Sequence, residues 1–149
     1  MQSIIKNAEE ADVPELSLLF DQYRIYYKKN SDIPGAKKYL LEKIQKKESI
    51  IFIAKSENKI IGFTQLYPLF SSLGMKRSWI LNDLYVLEQY RGKGVSKQLI
   101  DAAKDLAKET NAAGILLETE KTNIVGNKLY PAVGFALYEK NNFYWWDNS

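Results

Sequence analysis

The segment Leu84-Tyr85-Val86-Leu87-Glu88-Gln89-Tyr90-Arg91-Gly92-Lys93-Gly94-Val95-Ser96-Lys97 carries the clearest chemical signal in the sequence. A strand-like run passes through a short loop, with two glycines spaced by one residue, directly into a helix. Glycines let a backbone approach a ligand closely, and the first free N–H groups of a helix point outward at its positive end. Arg91, Lys93 and Lys97 add cationic charge around that cradle, so a phosphate or pyrophosphate is its natural guest. On spacing alone, a loop that merely starts a helix fits equally well. Two better-known phosphate loops do not fit. A P-loop needs Gly, four residues, then Gly-Lys-Ser/Thr, which is absent. A dinucleotide fingerprint wants a third small residue where Lys97 stands, on the first strand of a parallel sheet.

Two further places could do chemistry. Trp79–Val86 reads as a strand apolar on both faces apart from Asn82-Asp83. A carboxylate in a buried strand costs several kcal/mol unless it is solvated or paired. Asp83 therefore either reaches a cleft or pairs with a cation such as Arg77 or Lys76. Strict alternation sends Asn82 and Asp83 to opposite faces, so only a bulge lets both serve one site. Near the C-terminus, Asn123, Asn127 and Tyr130 are spaced by four and three and share one helical face, with Val125, Leu129 and Ala132 on another. That stripe fits ligand contact and a solvent-facing surface equally well. Pro131 removes an N–H that would bond the Asn127 carbonyl, so a kink or an early helix end is expected there.

Composition narrows the chemistry. The 149 residues contain no histidine and no cysteine, which removes disulfide scaffolds, Cys/His zinc sites, thiol nucleophiles and Ser-His-Asp triads. Acid–base work falls to Tyr, Asp, Glu, Lys or backbone groups, and no metal is expected. The formal net charge is +3, with the positive surplus in residues 51–100, around the glycine loop. Most of the cations are Lys interleaved with acids, so no nucleic-acid partner is expected. No apolar run approaches the ~20 residues of a membrane span, and no basic-then-apolar leader precedes Ile4. The expectation is a cytoplasmic protein without membrane contact.

The elements that must hold these residues can be read from periodicity. One domain over 1–149 is expected from the length. Ile4–Ala8 reads as a strand. Asp12, Pro14 and Glu15 form a helix-start signature, and the helix that follows places Leu16, Leu19, Phe20, Tyr23, Tyr26 and Tyr27 on one face. A second helix spans about Ala36–Lys47, with Leu40, Leu41 and Ile44 inward. Ser49–Lys55, Ile60–Phe70 and Trp79–Val86 form a meander, Arg91–Thr110 a helix, and Gly114–Thr119 a buried strand. Asn123–Val133 is a last helix stopped by Gly134. Phe135–Glu139 and Asn142–Trp146 close the chain as a hairpin around Lys140-Asn141. The fold class is α/β, a mixed and mostly antiparallel central sheet flanked by helices. The tail Phe143-Tyr144-Trp145-Trp146 is too apolar for a free terminus, and packing within its own sheet or across a homodimer interface both fit.

Taken together, these segments resemble the GCN5-related N-acetyltransferase (GNAT) superfamily. Gln89-Tyr90-Arg91-Gly92-Lys93-Gly94 is similar to its Gln/Arg-x-x-Gly-x-Gly/Ala coenzyme A signature, Asn82–Val86 to the strand before it, and Asn123 through Tyr130 to Gly134-Phe135 to its later Asn…Tyr…Gly-Phe segment. The element order agrees along nearly the whole chain. Two departures stand out: Ser96 where many relatives have Gly, and Asn82 where many have Glu, which leaves Asp83 as the acidic candidate. The resemblance implies a GNAT-like acyl-CoA N-acyltransferase fold and an enzyme moving an acetyl group from acetyl-CoA directly to a primary amine. The acceptor class would be an amino acid, polyamine or amino sugar. It further implies that Arg91, Gly92, Lys93, Gly94, Val95, Ser96 and Lys97 hold the pyrophosphate and that Leu84, Tyr85 and Val86 pair with the pantetheine. Asn123 and Asn127 are likewise assigned to the coenzyme. Asp83 or water would take the amine proton, Tyr130 would protonate the departing thiolate, and Tyr27, Asn82 and Asp83 would meet the acceptor. Tyr23, Tyr26, Tyr67, Phe70 and Trp79 are further aromatic candidates for its wall. A non-catalytic acyl-CoA sensor or scaffold of the same fold is the alternative.

Overall fold

The computed structural model describes residues 2–149. They form two compact units, one running to Leu117 and the other beginning at Glu118. The first unit is built on a five-stranded sheet in the order β1 (Ile4–Asn7), β2 (Ile50–Ser56), β3 (Lys59–Ser71), β4 (Lys76–Val86), β5 (Ile115–Leu116). The first four strands run antiparallel to their neighbours and β5 runs parallel to β4. A mixed, mostly antiparallel sheet is what the order of periodic segments predicts.

Each face of the sheet is sealed by helices that the chain supplies at different points. Helices α1 (Val13–Tyr26) and α2 (Ile33–Gln45) lay Leu16, Leu19, Phe20, Ala36 and Leu40 against Ile51, Ile53, Ile60 and Phe63. Helix α3 (Val95–Glu109) lays Val95 and Leu99 against Ala54, Ile61 and Val86 on the other face. Fully burying one such aliphatic or aromatic side chain contributes about 1.5–3 kcal/mol, so these two layers carry most of the unit's stability. Polar atoms inside are paired: no buried side-chain nitrogen or oxygen among the described residues lacks a hydrogen-bond partner.

Local chemistry shifts several boundaries from those expected. Asp12 does not cap α1. Its Oδ2 instead accepts the Glu9 N–H at 2.8 Å, within a 3-10 turn over Glu10–Asp12, and its carboxylate lies 3.3 Å from Lys6 Nζ. Glu15, expected to complete the capping box, accepts the Ile60 N–H across to β3 at 2.6 Å. Helix α2 starts at Ile33 because Asp32 caps it, accepting the Gly35 N–H at 2.9 Å. Helix α3 starts at Val95 rather than Arg91 because Gly94 is left-handed (φ +83°), a conformation a helix cannot include. On α1 only the first half of the predicted face is covered, since Tyr26 and Tyr27 remain exposed.

In the second unit, α4 (Ile124–Ala132) is capped by Asn123, whose Oδ1 accepts the Gly126 N–H at 3.0 Å. It ends one residue beyond Pro131, and Gly134 follows at φ +101°, as expected. The C-terminal hairpin does not form. Residues 135–149 contain no strand. An isolated two-stranded hairpin is marginal in water, and Lys140-Asn141 lacks the glycine that a tight two-residue turn prefers. Gly114–Thr119 likewise yields only the two paired residues of β5.

Candidate active site

The site is organised by one irregularity in β4. Gln65 pairs with Asp83, but the next residue, Leu66, pairs with Leu81. Asn82 is thus an extra residue, a bulge, and Leu81 and Asp83 lie on opposite faces. Backbone parity changes with it. The Trp79 N–H points to the β5 side, donating to Gly114 O, whereas the Leu87 N–H points to the β3 side, donating to Ile61 O. Successive strand residues alternate their hydrogen-bonding direction, so two odd-numbered residues can disagree only across a bulge. By the same alternation Leu84 and Val86 direct their N–H groups away from β3. β5 pairs only with Trp79 and Ile80, which leaves this stretch of the β4 edge without a neighbouring strand among the described residues.

On the α1/α2 face the bulge delivers both polar residues to one place. Asn82 and Asp83 line a cavity of about 340 Å³ together with Phe20, Arg24, Asp32, Tyr39 and Tyr67. Asp83 is only 5% exposed. Among the described residues no salt bridge to a cation is formed by it. Its Oδ1 accepts from Tyr23 Oη (2.8 Å) and Asn82 Nδ2 (3.1 Å), and its Oδ2 accepts from Gln65 Nε2 (2.7 Å). Gln65 is itself oriented by the Ser49 hydroxyl, which donates to its Oε1 at 2.8 Å. Burial raises the Asp83 pKa above the ordinary carboxylate value, and the donors from Gln65, Tyr23 and Asn82 offset part of that rise. A carboxylate held this way is a stronger base than one in water. Beside it, burial and the hydrogen bond with Tyr39 hold the Tyr67 phenol protonated well above its usual range. The cleft alternative for Asp83 is the one realised. Arg77 instead stacks on Phe70 and Trp79, with centroid distances of 5.3 and 5.2 Å.

The glycine loop follows at the end of β4. Gly92 and Gly94 are both left-handed, and a Cβ built on either meets no atom within 4 Å. The space beside them is open, as a ligand cradle requires. The Gln98 N–H is bonded to Gly94 O, whereas the N–H groups of Val95, Ser96 and Lys97 precede that first intrahelical acceptor. They offer an anion several donors at the positive end of a 15-residue helix. These donors and the β4 edge suit a diphosphate joined to a chain of amides. Arg91 is less available than expected. Its Nε donates to Val86 O at 2.8 Å, and its guanidinium packs over Tyr26 and Tyr85. Lys93 lies over the Tyr90 ring, and Lys97 is exposed.

Other expected residues are placed differently. Tyr27 does not line the cavity; it packs edge-on against Tyr23 and Tyr26. Tyr23, one turn earlier, is the tyrosine that reaches Asp83. Trp79 is buried and donates to Thr110 Oγ1, and Phe70 lies toward the far end of β3, so neither walls this cavity. In the second unit, Asn123 and Asn127 are engaged locally. Asn123 Nδ2 donates to Thr119 Oγ1, and Asn127 Nδ2 donates to the carbonyls of Asn123, Glu120 and Lys121. The Tyr130 ring packs edge-on against Phe135. Gln65, Ser49, Arg24, Asp32 and Tyr39 are site residues that the sequence pattern does not mark as candidates. Gln65 was the one with a signal, as a polar side chain in an apolar strand.

A family model described as the acetyltransferase (GNAT) family matches residues 16–135. The chain belongs to the GNAT family. An uncharacterized N-acetyltransferase, YhfO, of Bacillus subtilis (strain 168) is 43% identical over 131 residues, 88% of each chain. A probable acetyltransferase of Haemophilus influenzae is 31% identical over 92% of each. The crystal structure of a probable acetyltransferase superposes with a TM-score of 0.93 at 36% identity, covering 100% of this chain and 99% of that one. An aminoglycoside N-acetyltransferase in complex with CoA shares the fold, with a TM-score of 0.81 at 22% identity over 96% of this chain and 93% of that one. This GNAT protein is accordingly an acyltransferase enzyme, of a family that uses acetyl-CoA. Among the described residues no helix is long and apolar enough to cross a membrane.

Proposed function

We propose that both units act together as one N-acetyltransferase domain that acetylates the primary amine of a small molecule. The amine would be held in the cavity under α1 and α2, with Asp83 as the group that takes its proton. The observation that carries this reading is the bulge at Asn82. One extra residue turns a buried carboxylate into the acceptor cavity, and beyond it the N–H groups of Leu84 and Val86 face away from β3, past the stretch that β5 pairs and one loop away from the glycine cradle. At about 340 Å³ the cavity is at the small end of ligand pockets. Its two carboxylates, Asp32 and Asp83, outnumber its one cation, Arg24, and suit a cationic amine better than an apolar one. An amino acid, amino sugar or polyamine end fits this chemistry.

Acetyl-CoA supplies the acetyl group as a thioester. The N–H groups of Val95, Ser96 and Lys97, with Gly92, Lys93 and Gly94, would hold its pyrophosphate, and Leu84, Tyr85 and Val86 its pantetheine. The outward N–H of Leu84 or Val86 would polarise the reacting carbonyl. Asp83, made more basic by burial, accepts the proton lost by the attacking nitrogen. The Tyr130 phenol serves as the acid for the leaving sulfur. In isolation a phenol titrates near ~10 and a thiol near ~8.5, so phenols as a class suit the protonation of a departing thiolate at neutral pH. Asn123 and Asn127 would act on the coenzyme by holding the start of α4 in shape. The test is thiol release from acetyl-CoA across a panel of amino acids, amino sugars, polyamines and N-terminal peptides. Turnover with a small amine is expected; a peptide amine turned over faster than every small amine overturns the acceptor class.

A further inference from the structure

Ser49, Gln65 and Asp83 form a polar row across the middle of the sheet. Gln65 on β3 pairs with Ile51 of β2 on one side and with Asp83 of β4 on the other. Ser49 stands two residues before Ile51, just ahead of β2, and so lies diagonal to Gln65, within reach of a long side chain. The bulge at Asn82 completes the row. Leu66 pairs with Leu81, and a regular ladder would continue with Asn82 opposite Gln65. The extra residue puts Asp83 there instead.

All three residues are buried, Gln65 completely. An apolar side chain would fill either of the first two positions without the cost of desolvating an amide or a hydroxyl. Their bonds run in one direction. Ser49 Oγ donates to Gln65 Oε1 at 2.8 Å, which leaves the amide nitrogen, Nε2, to donate to Asp83 Oδ2 at 2.7 Å. The Thr64 hydroxyl fixes the backbone at the same place, donating to the Asp83 main-chain carbonyl at 2.7 Å. Each carboxylate oxygen accepts at about two positions. Oδ1 takes both Tyr23 and Asn82, whereas Oδ2 takes Gln65 alone. Gln65 therefore holds the oxygen that has room for a proton.

We propose that Ser49 and Gln65 are positioning residues for proton transfer: Ser49 fixes the Gln65 amide, and Gln65 keeps Asp83 ionised and ready to take the amine proton. With Asp83 as the base, the reading on which this rests, the nitrogen lone pair forms the N–C bond to the acetyl carbon. The C–S bond breaks with its electrons on sulfur, and the N–H bond breaks with its electrons on nitrogen as an O–H bond forms at Oδ2. Neither Ser49 nor Gln65 lines the cavity, so both act through Asp83. Burial is the largest cause of the raised Asp83 value, and the Gln65 bond is the first of the hydrogen bonds that oppose it. The charged and titratable groups around Asp83 are Tyr23 and Arg24 from α1, Asp32 and Tyr39 from the start and body of α2, and Tyr67 from β3. Substitutions at 49 and 65 leave all of them in place.

The test titrates Asp83 directly in the full chain, with no substrate present. In protein labelled with carbon-13 at the aspartate carboxyls, its resonance is the one missing from Asp83→Asn. Gln65→Met removes a hydrogen bond to a charged group and should raise the midpoint by about one to two pH units. Ser49→Ala, which frees the amide to turn, should raise it by less. The lower break in the pH profile of kcat/KM should move by the same amount, at a cost of about tenfold in rate per unit below the break. It is followed by thiol release from acetyl-CoA with the panel amine that turns over fastest. A midpoint unmoved in either variant overturns the proposal while leaving Asp83 as the base. A midpoint that moves while the kinetic break stays in place overturns Asp83 as the base, and the proposal with it. If Gln65→Met does not fold, Ser49→Ala still decides.

Discussion

Replacing Asp83 with Asn separates what the carboxylate does for the reaction from what it costs the fold. Asp83 is buried in the lining of the cavity, with donors from Tyr23, Gln65 and Asn82, and burial holds its pKa above the unfolded value. A group raised in this way favours folding when protonated. Its favourable contribution is complete below the unfolded pKa, about 3.9. It is lost as pH rises through the folded value, so near neutrality the ionised Asp83 destabilises the protein. Each pH unit of such a rise corresponds to ~1.4 kcal/mol, or roughly 3–6 °C in Tm for a chain of this size. Asn is neutral throughout and nearly isosteric. Its Oδ1 can keep the Tyr23 and Asn82 bonds, while its Nδ2 meets Gln65, whose amide must turn over. Ser49 tolerates that turn because a hydroxyl accepts as readily as it donates. Asp83→Asn is therefore expected to melt higher than wild type near neutrality, with the difference vanishing toward about pH 4. Turnover should fall about 10²–10⁴-fold, the usual worth of a general base, or about 3–5 kcal/mol in the barrier. Melting curves at both pH values and thiol release from acetyl-CoA measure the two effects. Turnover within threefold of wild type refutes Asp83 as the base, and a lower Tm near neutrality refutes the desolvation argument.

Three other outcomes follow from the geometry. Gly94→Ala forces a Cβ onto a left-handed residue (φ +83°), which should cost about 1 kcal/mol of stability. Its methyl enters the open loop space, so the KM for acetyl-CoA should rise roughly tenfold, read from initial rates. Tyr130→Phe should lower kcat about 10²-fold with KM for acetyl-CoA unchanged, and an unaltered kcat removes Tyr130 from the acid role. Asp21 ties α1 to the start of α2 by accepting from the Ser31 hydroxyl and the Asp32 N–H, both at 2.7 Å. These bonds, the Ser31 one first, hold its pKa below the usual value, so its stabilisation is present above the unfolded pKa and lost as pH falls through the folded one. Asp21→Asn should lower Tm near neutrality and converge with wild type in acid, seen in melting curves across that range.

Much of the fold was legible because helix and strand periods are local. The meander, the apolar face of α3 and the left-handed stop at Gly134 follow from residues within a turn or two of one another. The misread start of α1 comes from competing partners. Asp12 and Glu15 look like a cap and a capping box, but both carboxylates find partners outside the pattern, Asp12 at Glu9 and Lys6 and Glu15 at the backbone of β3. The Glu15 bond to β3 is tertiary and outweighs a local preference worth about 1 kcal/mol, whereas Asp12 is drawn into a competing local capping box with Glu9, one turn earlier. The tail hairpin failed for the related reason that a strand is stable only with a neighbour to bond.

By itself the sequence determined which chemistry was open. Without histidine or cysteine, proton transfer has to use carboxylates, phenols, lysines and backbone groups, and the glycine loop ahead of a helix points to an anion cradle because glycine conformation and helix ends are short-range properties. Only the tertiary structure decided which polar residues work together. Asn82 and Asp83 are adjacent in sequence and would face opposite ways on a regular strand. The bulge against Gln65 and Leu66 turns them to one cavity, and the burial that raises the Asp83 pKa comes from α1, α2 and β3. Strand register and burial are properties of residues far apart in the chain, and no local pattern encodes them.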